Sequence, residues 1–121
     1  MIFSNDRPIY IQLLEQLQVF IVSGKIIPGE KLPSVRELAT ISSSNPNTVQ
    51  RALTELENLG LIYTERTNGK FVTTDKKLIN KYKELFAKEK VNAYFKSMNE
   101  LGFNDREAID YLKSEGDIKW N

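Results

Sequence analysis

The chain of 121 residues contains no cysteine and no histidine. These two absences together remove disulfides, thiolate nucleophiles, imidazole bases and the usual zinc sites. No metal or cofactor is expected. Long hydrophobic runs are missing as well: none approaches the roughly 20 apolar residues that span a bilayer. The opening Met1-Ile2-Phe3-Ser4-Asn5-Asp6-Arg7-Pro8 lacks the basic segment and apolar stretch of a secretory signal, so a cytoplasmic location is the default expectation. Nor does charge of one sign dominate, with 17 Lys and Arg against 16 Asp and Glu and a net charge of +1. That balance does not suit a non-specific coater of nucleic acid. A sequence-specific reader depends on the local field instead. The length predicts one domain or one domain with an appendage. A domain of roughly 70 residues sits near the low end of self-sufficient stability.

What the chain does contain is concentrated between residues 28 and 72. Asn45-Pro46-Asn47-Thr48-Val49-Gln50-Arg51-Ala52-Leu53 reads as the opening of a helix. Asn45 suits the cap, and Pro46 suits the first helical position because its missing N–H would have no partner there. At about 100° per residue, Val49, Ala52, Leu53, Leu56 and Leu59 fall on one face, and Asn47, Gln50, Arg51, Thr54 and Asn58 on the other. Asn, Gln and Arg side chains can hydrogen-bond to base edges or phosphates. No acidic residue occurs between Glu37 and Glu55, so a phosphate backbone meets no like charge on this stretch. The plainer reading of the same helix is a solvated polar face.

The flanking segments favour the first reading. Pro28-Gly29 signals a turn, and Ser34-Val35-Arg36-Glu37 fits a capping box that opens a short helix with Val35, Leu38, Ala39 and Ile41 apolar. Ser42-Ser43-Ser44 breaks it. Two helices joined by a short polar turn form a helix-turn-helix whose second helix is the candidate reader. Downstream, Gly60 is placed to end the reader helix in a left-handed cap. Leu61-Ile62-Tyr63-Thr64 and Phe71-Val72-Thr73 have strand composition. Between them lies Arg66-Thr67-Asn68-Gly69-Lys70, whose Asn-Gly is a hairpin signal. A hairpin directly after the reader helix makes a wing, with Arg66 and Lys70 able to reach phosphates or a minor groove.

Pro8-Ile9-Tyr10, Gly24-Lys25-Ile26-Ile27-Pro28-Gly29, Leu32-Pro33-Ser34-Val35-Arg36-Glu37-Leu38-Ala39, Asn45-Pro46-Asn47-Thr48-Val49 and Gly60-Leu61-Ile62 resemble the DNA-binding domain of GntR-type transcriptional regulators. The resemblance covers about the first 74 residues. The Asn-Pro-Asn-Thr-Val string and the short C-terminal part are similar to the YtrA-like subfamily. The resemblance implies DNA contacts by Arg36, Asn47, Thr48, Gln50 and Arg51, and by the wing at Gly69 and Lys70. Ser34, at the cap before Arg36, completes the candidate set. One departure concerns the wing tip. The family usually carries Gly-x-Gly there, whereas Thr67 stands in place of the first glycine and only Gly69 remains.

Residues 8 to 23 are predicted to form a first helix that supports the reader, with Ile9, Leu13, Leu14, Leu17, Phe20 and Ile21 at helical spacing. Tyr10 and Gln12 lie near its beginning, where a DNA backbone contact is open to them. After Thr74 the composition changes. Leu78, Ile79, Tyr82, Leu85, Phe86, Val91, Tyr94, Phe95, Met98 and Leu101 recur every three or four residues. They predict a helix over residues 75 to about 101, roughly 40 Å long. Asn104-Asp105-Arg106-Glu107 opens a second helix with Ala108, Ile109, Tyr111 and Leu112. YtrA-like relatives are also expected to end in a long and a short helix. The predicted fold class is therefore mainly α with a small β-wing: a winged helix-turn-helix over 1–74, then a two-helix dimerisation tail over 75–121.

Two helices alone cannot bury so many large apolar side chains, and pairing with a second copy is the economical solution. The expected dimerisation residues are Leu78, Tyr82, Leu85, Phe86, Tyr94, Phe95, Met98, Ile109 and Leu112. The alternative folds the tail back onto the winged domain. Lys76, Lys77, Lys81, Lys83, Lys88 and Lys90 read as a solvated face, or, for those nearest the wing, as an added attraction for phosphate. About 47 residues follow the wing, too few to enclose a ligand pocket of about 300 Å³ within one chain. A small-molecule effector at a dimer interface stays open, with no residue pattern pointing to one.

The functional expectation is a sequence-specific DNA-binding regulator whose homodimer places two reader helices in successive major grooves of a palindromic operator. Asn47 and Gln50 suit adenine, and Arg51 suits guanine or phosphate. Arg36 suits phosphate or a nearby base, and Thr48 a phosphate at the helix N-terminus. Repression by occupancy is the expected outcome, and the resemblance implies operons such as those for ABC transporters. Two other classes stand beside it. A winged helix used for protein contact would show an exposed apolar reader face. An enzyme would have to rely on Glu30, Glu37, Glu55, Glu57 and Glu65, which sit at ordinary surface spacings.

Overall fold

The structure, a computed structural model, describes residues 3–116. Its elements run α1 (Ile9–Val22), α2 (Val35–Ser42), α3 (Pro46–Asn58), β1 (Ile62–Glu65), β2 (Gly69–Val72), α4 (Lys76–Glu100) and α5 (Asp105–Gly116). The class is mainly helical with a two-stranded antiparallel wing, as the sequence predicts. The chain divides into two compact units, one ending at Lys83 and the other beginning at Glu84, so the boundary falls inside α4.

In the first unit α2 and α3 carry local devices at their ends, whereas α1 starts after Pro8 with no side-chain cap. Ser34 Oγ accepts from the Glu37 amide at 3.1 Å while a Glu37 carboxylate oxygen accepts from the Ser34 amide at 3.1 Å, completing the capping box of α2. The three serines do more than interrupt that helix. Ser42 is still helical and buried, its hydroxyl donating to the Leu38 carbonyl at 2.6 Å. Ser43 then takes a left-handed conformation (φ 54°), and the Ser44 amide bonds back to the Ala39 carbonyl. The end of α3 is a Schellman closure: Leu59 is the cap, Gly60 has φ 79°, and the Gly60 and Leu61 amides reach the Glu57 and Leu56 carbonyls.

The core joins Leu13, Leu17 and Ile21 of α1, Leu38 and Ala39 of α2, Val49, Ala52, Leu53 and Leu56 of α3, and Leu61, Ile62 and Val72 of the wing region. Leu14, Phe20 and Leu59 pack partly buried against it. Ile9 and Ile41, expected on the apolar faces of α1 and α2, are exposed.

The wing pairs Ile62 with Val72, Tyr63 with Phe71, Thr64 with Lys70 and Glu65 with Gly69. Its second strand therefore starts at Gly69, two residues earlier than strand composition indicates. The loop is only Arg66-Thr67-Asn68, closed by the Asn68 amide on the Glu65 carbonyl, and Gly69, which opens β2, takes the positive φ. A third segment joins the far edge of β2: the Gly29 and Leu32 amides bond the Val72 and Lys70 carbonyls, and the Val72 amide bonds the Glu30 carbonyl.

The first unit extends past Thr74 because the start of α4 is bound into it. Asp75 caps α4 by accepting from the Leu78 amide at 3.1 Å. Ile79 is buried in the core, Tyr82 packs against it and donates from its hydroxyl to the Leu59 carbonyl at 3.3 Å, and a Cβ on Gly60 would lie 3.2 Å from Leu78. Leu78 and Tyr82, expected to meet a second chain, thus contact the winged domain of their own.

The second unit is a helical hairpin. The Gly102 and Phe103 amides close α4 on the Asn99 and Met98 carbonyls. Asn104 accepts from the Glu107 amide at 2.8 Å and caps α5. The Tyr94 hydroxyl ties the helices together by donating to the Ala108 carbonyl at 2.7 Å. Ala108 is the single buried apolar side chain of this unit among the described residues. Leu85, Val91, Leu101, Ile109, Tyr111 and Leu112 are all between 40% and 74% exposed.

Candidate nucleic-acid interface

The reader helix presents Asn47, Gln50, Arg51, Thr54 and Asn58 to the outside, while Val49, Ala52, Leu53 and Leu56 are buried beneath them. Its N-terminus is closed in a way that changes one expectation. Asn45 Oδ1 accepts from the Thr48 amide at 2.9 Å, the Val49 amide bonds the Asn45 carbonyl, and Pro46 has no N–H. Of the first turn, only the Asn47 amide lies outside this scheme. Thr48 can offer a phosphate its hydroxyl, but its amide is committed to the cap. Gln50 reaches Thr54 Oγ1 at 3.4 Å, a weak contact that leaves its amide able to turn toward a partner.

Flanking residues brace this helix on both sides. On the α1 side, the Arg51 guanidinium carbon lies 3.8 Å from the centre of the Tyr10 ring. On the wing side, Glu57 Oε1 accepts from Thr64 Oγ1 at 2.7 Å and from Lys70 Nζ at 3.1 Å, and Lys70 Nζ also lies 2.9 Å from Thr64 Oγ1. The Thr64 hydroxyl bond first, and the Lys70 ammonium second, hold the Glu57 carboxyl below the usual carboxylate range. Lys70, expected to be free for phosphate, is therefore already neutralised from the C-terminal half of the reader helix.

Gly69 has φ 103°, a backbone conformation that favours glycine; a Cβ there would sit 3.1 Å from Lys31 Cε, the end of a flexible side chain that can give way. Lys31 is itself joined to the wing through a bridge to Phe71. Ser34, Gly69 and Lys70 line one groove of about 420 Å³, together with Lys31, Glu37 and Asn68. Ser34 spends its amide and one hydroxyl lone pair on the capping box. That bond, with the Ser34 hydroxyl next and Lys31 after it, lowers the Glu37 pKa and keeps a negative charge beside the groove. Arg36 is exposed on α2 and, among the described residues, has no ion-pair partner. The candidate set thus falls into a wing group (Ser34, Gly69, Lys70) and a reader group (Asn47, Thr48, Gln50, Arg51), with Arg36 on the supporting helix. Lys31, Glu57 and Thr64 are the additions; Tyr10, open to a DNA backbone contact from the sequence, meets Arg51, while Gln12 is buried and bonded to Ser4 and Arg7. Glu57 and Lys31 carried no sequence signal beyond charge, whereas Tyr10 sat inside the Pro8-Ile9-Tyr10 string.

A winged helix-turn-helix whose reader helix is polar and free of acid up to Glu55 is the architecture of a transcriptional regulator. Residues 9–72 match the family described as "Bacterial regulatory proteins, gntR family", and the chain belongs to that family. It is 36% identical over 112 residues to the "Uncharacterized HTH-type transcriptional regulator YhcF" of Bacillus subtilis, covering 93% of each chain. To the "HTH-type transcriptional repressor YtrA" of the same organism it is 49% identical over 73 residues, 60% of this chain and 56% of that one. A GntR family transcriptional regulator from Listeria monocytogenes superposes with a TM-score of 0.85 at 40% identity, covering 93% of this chain and 98% of that one. AraR(DBD), solved in complex with operator ORX1, superposes with a TM-score of 0.56 at 30% identity over 60% of this chain and 93% of that one. The chain is a DNA-binding regulator of the GntR family with YtrA-like relatives, and not an enzyme.

Proposed function

We propose that the protein represses transcription by occupying a palindromic operator as a homodimer in the cytoplasm. The observation that carries the DNA reading is the exposed face of α3, where Asn47, Gln50, Arg51 and Thr54 stand together with no carboxylate before Glu55. Asn47 and Gln50 are assigned to adenine edges, Arg51 to a guanine edge, and Arg36, Ser34 and the Thr48 hydroxyl to phosphate. Gly69 brings the wing against the backbone, with Lys70 beside it held on Glu57.

The dimer reading rests on the second unit. A hairpin that buries only Ala108 among its described apolar side chains leaves Leu85, Ile109 and Leu112 in water, and covering them by a second copy recovers about 25 cal/mol per Å². Phe86, Tyr94, Phe95 and Met98 are assigned to the same interface. Leu78 and Tyr82 contribute to it only at its edge, since their own winged domain already engages them.

The test is selection of bound sequences from a random duplex library at near-physiological salt, with equilibrium sedimentation of the same preparation. The expected result is a palindrome with half-sites about 10 base pairs apart, or a multiple of that, bound by a species of twice the chain mass. A monomer at micromolar concentration would remove the dimer. A folded protein that enriches no sequence would remove the operator.

A further inference from the structure

α1 looks like core support, yet its first turn delivers an aromatic ring to the reader helix. Tyr10 is half-buried, and the Arg51 guanidinium lies over its face, 3.8 Å from centroid to carbon. That separation is well inside the roughly 6 Å reach of a cation–π contact. An arginine on a solvated helix face otherwise spreads over many rotamers, and fixing it costs side-chain entropy.

A ring under the guanidinium carbon restrains the group without taking its N–H groups as hydrogen-bond donors to a carboxylate or hydroxyl. The contrast with Lys70 is instructive, because there the restraint is made through the donor itself, on Glu57 and Thr64. The ring is held in register from two directions. Buried Gln12 clamps the chain before α1 through bonds to the Ser4 amide, the Ser4 carbonyl and the Arg7 carbonyl at 2.8–2.9 Å. Ala52, fully buried next to Arg51, lets α1 approach α3 closely, with Leu13 and Leu17 in the same core.

We infer that Tyr10 is a positioning residue that pre-orients Arg51 for bidentate readout of one guanine in each half-site, so that a side chain outside the helix-turn-helix sets base preference. This rests on α3 being the DNA reader. Arginine forked onto guanine O6 and N7 is the geometry that gains most from a fixed guanidinium plane.

Two measurements test it. In the DNA-free protein, ring current should move the Arg51 Hδ resonances upfield. The shift should persist in Tyr10→Phe and vanish in Tyr10→Leu, which keeps an apolar group and spares the core. On the selected operator, Tyr10→Leu should weaken binding about three- to tenfold, because Arg51 must then be ordered at the moment of binding. Tyr10→Phe should stay within about twofold, because the ring and not the hydroxyl carries the effect. In an Arg51→Ala background, Tyr10→Leu should add less than about twofold, since coupled residues are not additive. Its loss should fall on the base pair whose preference Arg51→Ala abolishes, leaving random duplex DNA bound as before.

An unshifted Arg51 resonance in the wild type would overturn the inference. So would an equal loss from Tyr10→Leu with and without Arg51, or a loss uniform across sequences. An operator found without Tyr10–Arg51 coupling removes this inference alone. A wild-type chain that selects no sequence removes the DNA reading and this inference together.

Discussion

Replacing Glu57 by Gln tests whether the wing is held to the reader helix by charge. The carboxylate takes hydrogen bonds at 2.7 and 3.1 Å from Thr64 and Lys70, residues paired across β1 and β2. Gln keeps an oxygen that can accept from both, so only the ionic part is lost. The side chains are 41% and 21% exposed, which places the pair between a surface bridge and a buried one. Solvent screening therefore limits the contribution to about 0.5–1 kcal/mol. For a unit of this size that is a fall of about 2–8 °C in melting temperature.

The loss should shrink at high salt. It should also depend on pH in a defined direction. The folded-state pKa of Glu57 is lowered, so the contribution is present above the carboxylate pKa of the unfolded chain and disappears as pH falls through the folded value. Wild type and Glu57→Gln should melt apart near neutrality and converge in acid. Thermal melts at one protein concentration, in a cycle with Lys70→Met, give the coupling. A coupling under about 0.2 kcal/mol at low salt would refute the reasoning and make the network a contact without energetic weight. On DNA, Glu57→Gln leaves the Lys70 charge without a counter-charge, and the slope of log affinity against log salt should steepen by up to about 0.9.

Three further outcomes follow from named contacts. Leu53→Ala removes a fully buried side chain at the centre of the winged core and should cost about 2–5 kcal/mol in urea unfolding, with binding restored wherever the variant is folded. Ser43→Gly relieves a left-handed serine in the helix-turn-helix turn and should stabilise the unit by about 0.5 kcal/mol, the strain relieved outweighing the added freedom of the unfolded chain; a loss of stability would mean that the Ser43 side chain has a partner. Arg51→Ala should cost about 1–3 kcal/mol on the selected operator and much less on random duplex; equal losses on both would reassign it to phosphate.

Much of the winged unit is legible in the sequence because its devices are local. Asn45-Pro46, the Ser34 to Glu37 box and the Asn68-Gly69 turn each act within about four residues, where backbone geometry leaves few alternatives. The 3.6-residue period likewise separates Val49, Ala52, Leu53 and Leu56 from Asn47, Gln50 and Arg51 without knowledge of what they pack against. The apolar pattern of the tail announced two helices for the same reason, but it did not say which of its residues belong to the winged core.

Sequence by itself determined the caps of α2 and α3, the two faces of the reader helix, the family and the absence of acid before Glu55. The attachment of Leu78, Ile79 and Tyr82 to the first unit was decided only by tertiary structure, as were the neutralisation of Lys70 by Glu57 and the stacking of Arg51 on Tyr10. Each of these pairs residues from different elements. Their separation is set by where whole helices and strands settle on a shared core, and packing of that kind has no signature in the spacing of either partner.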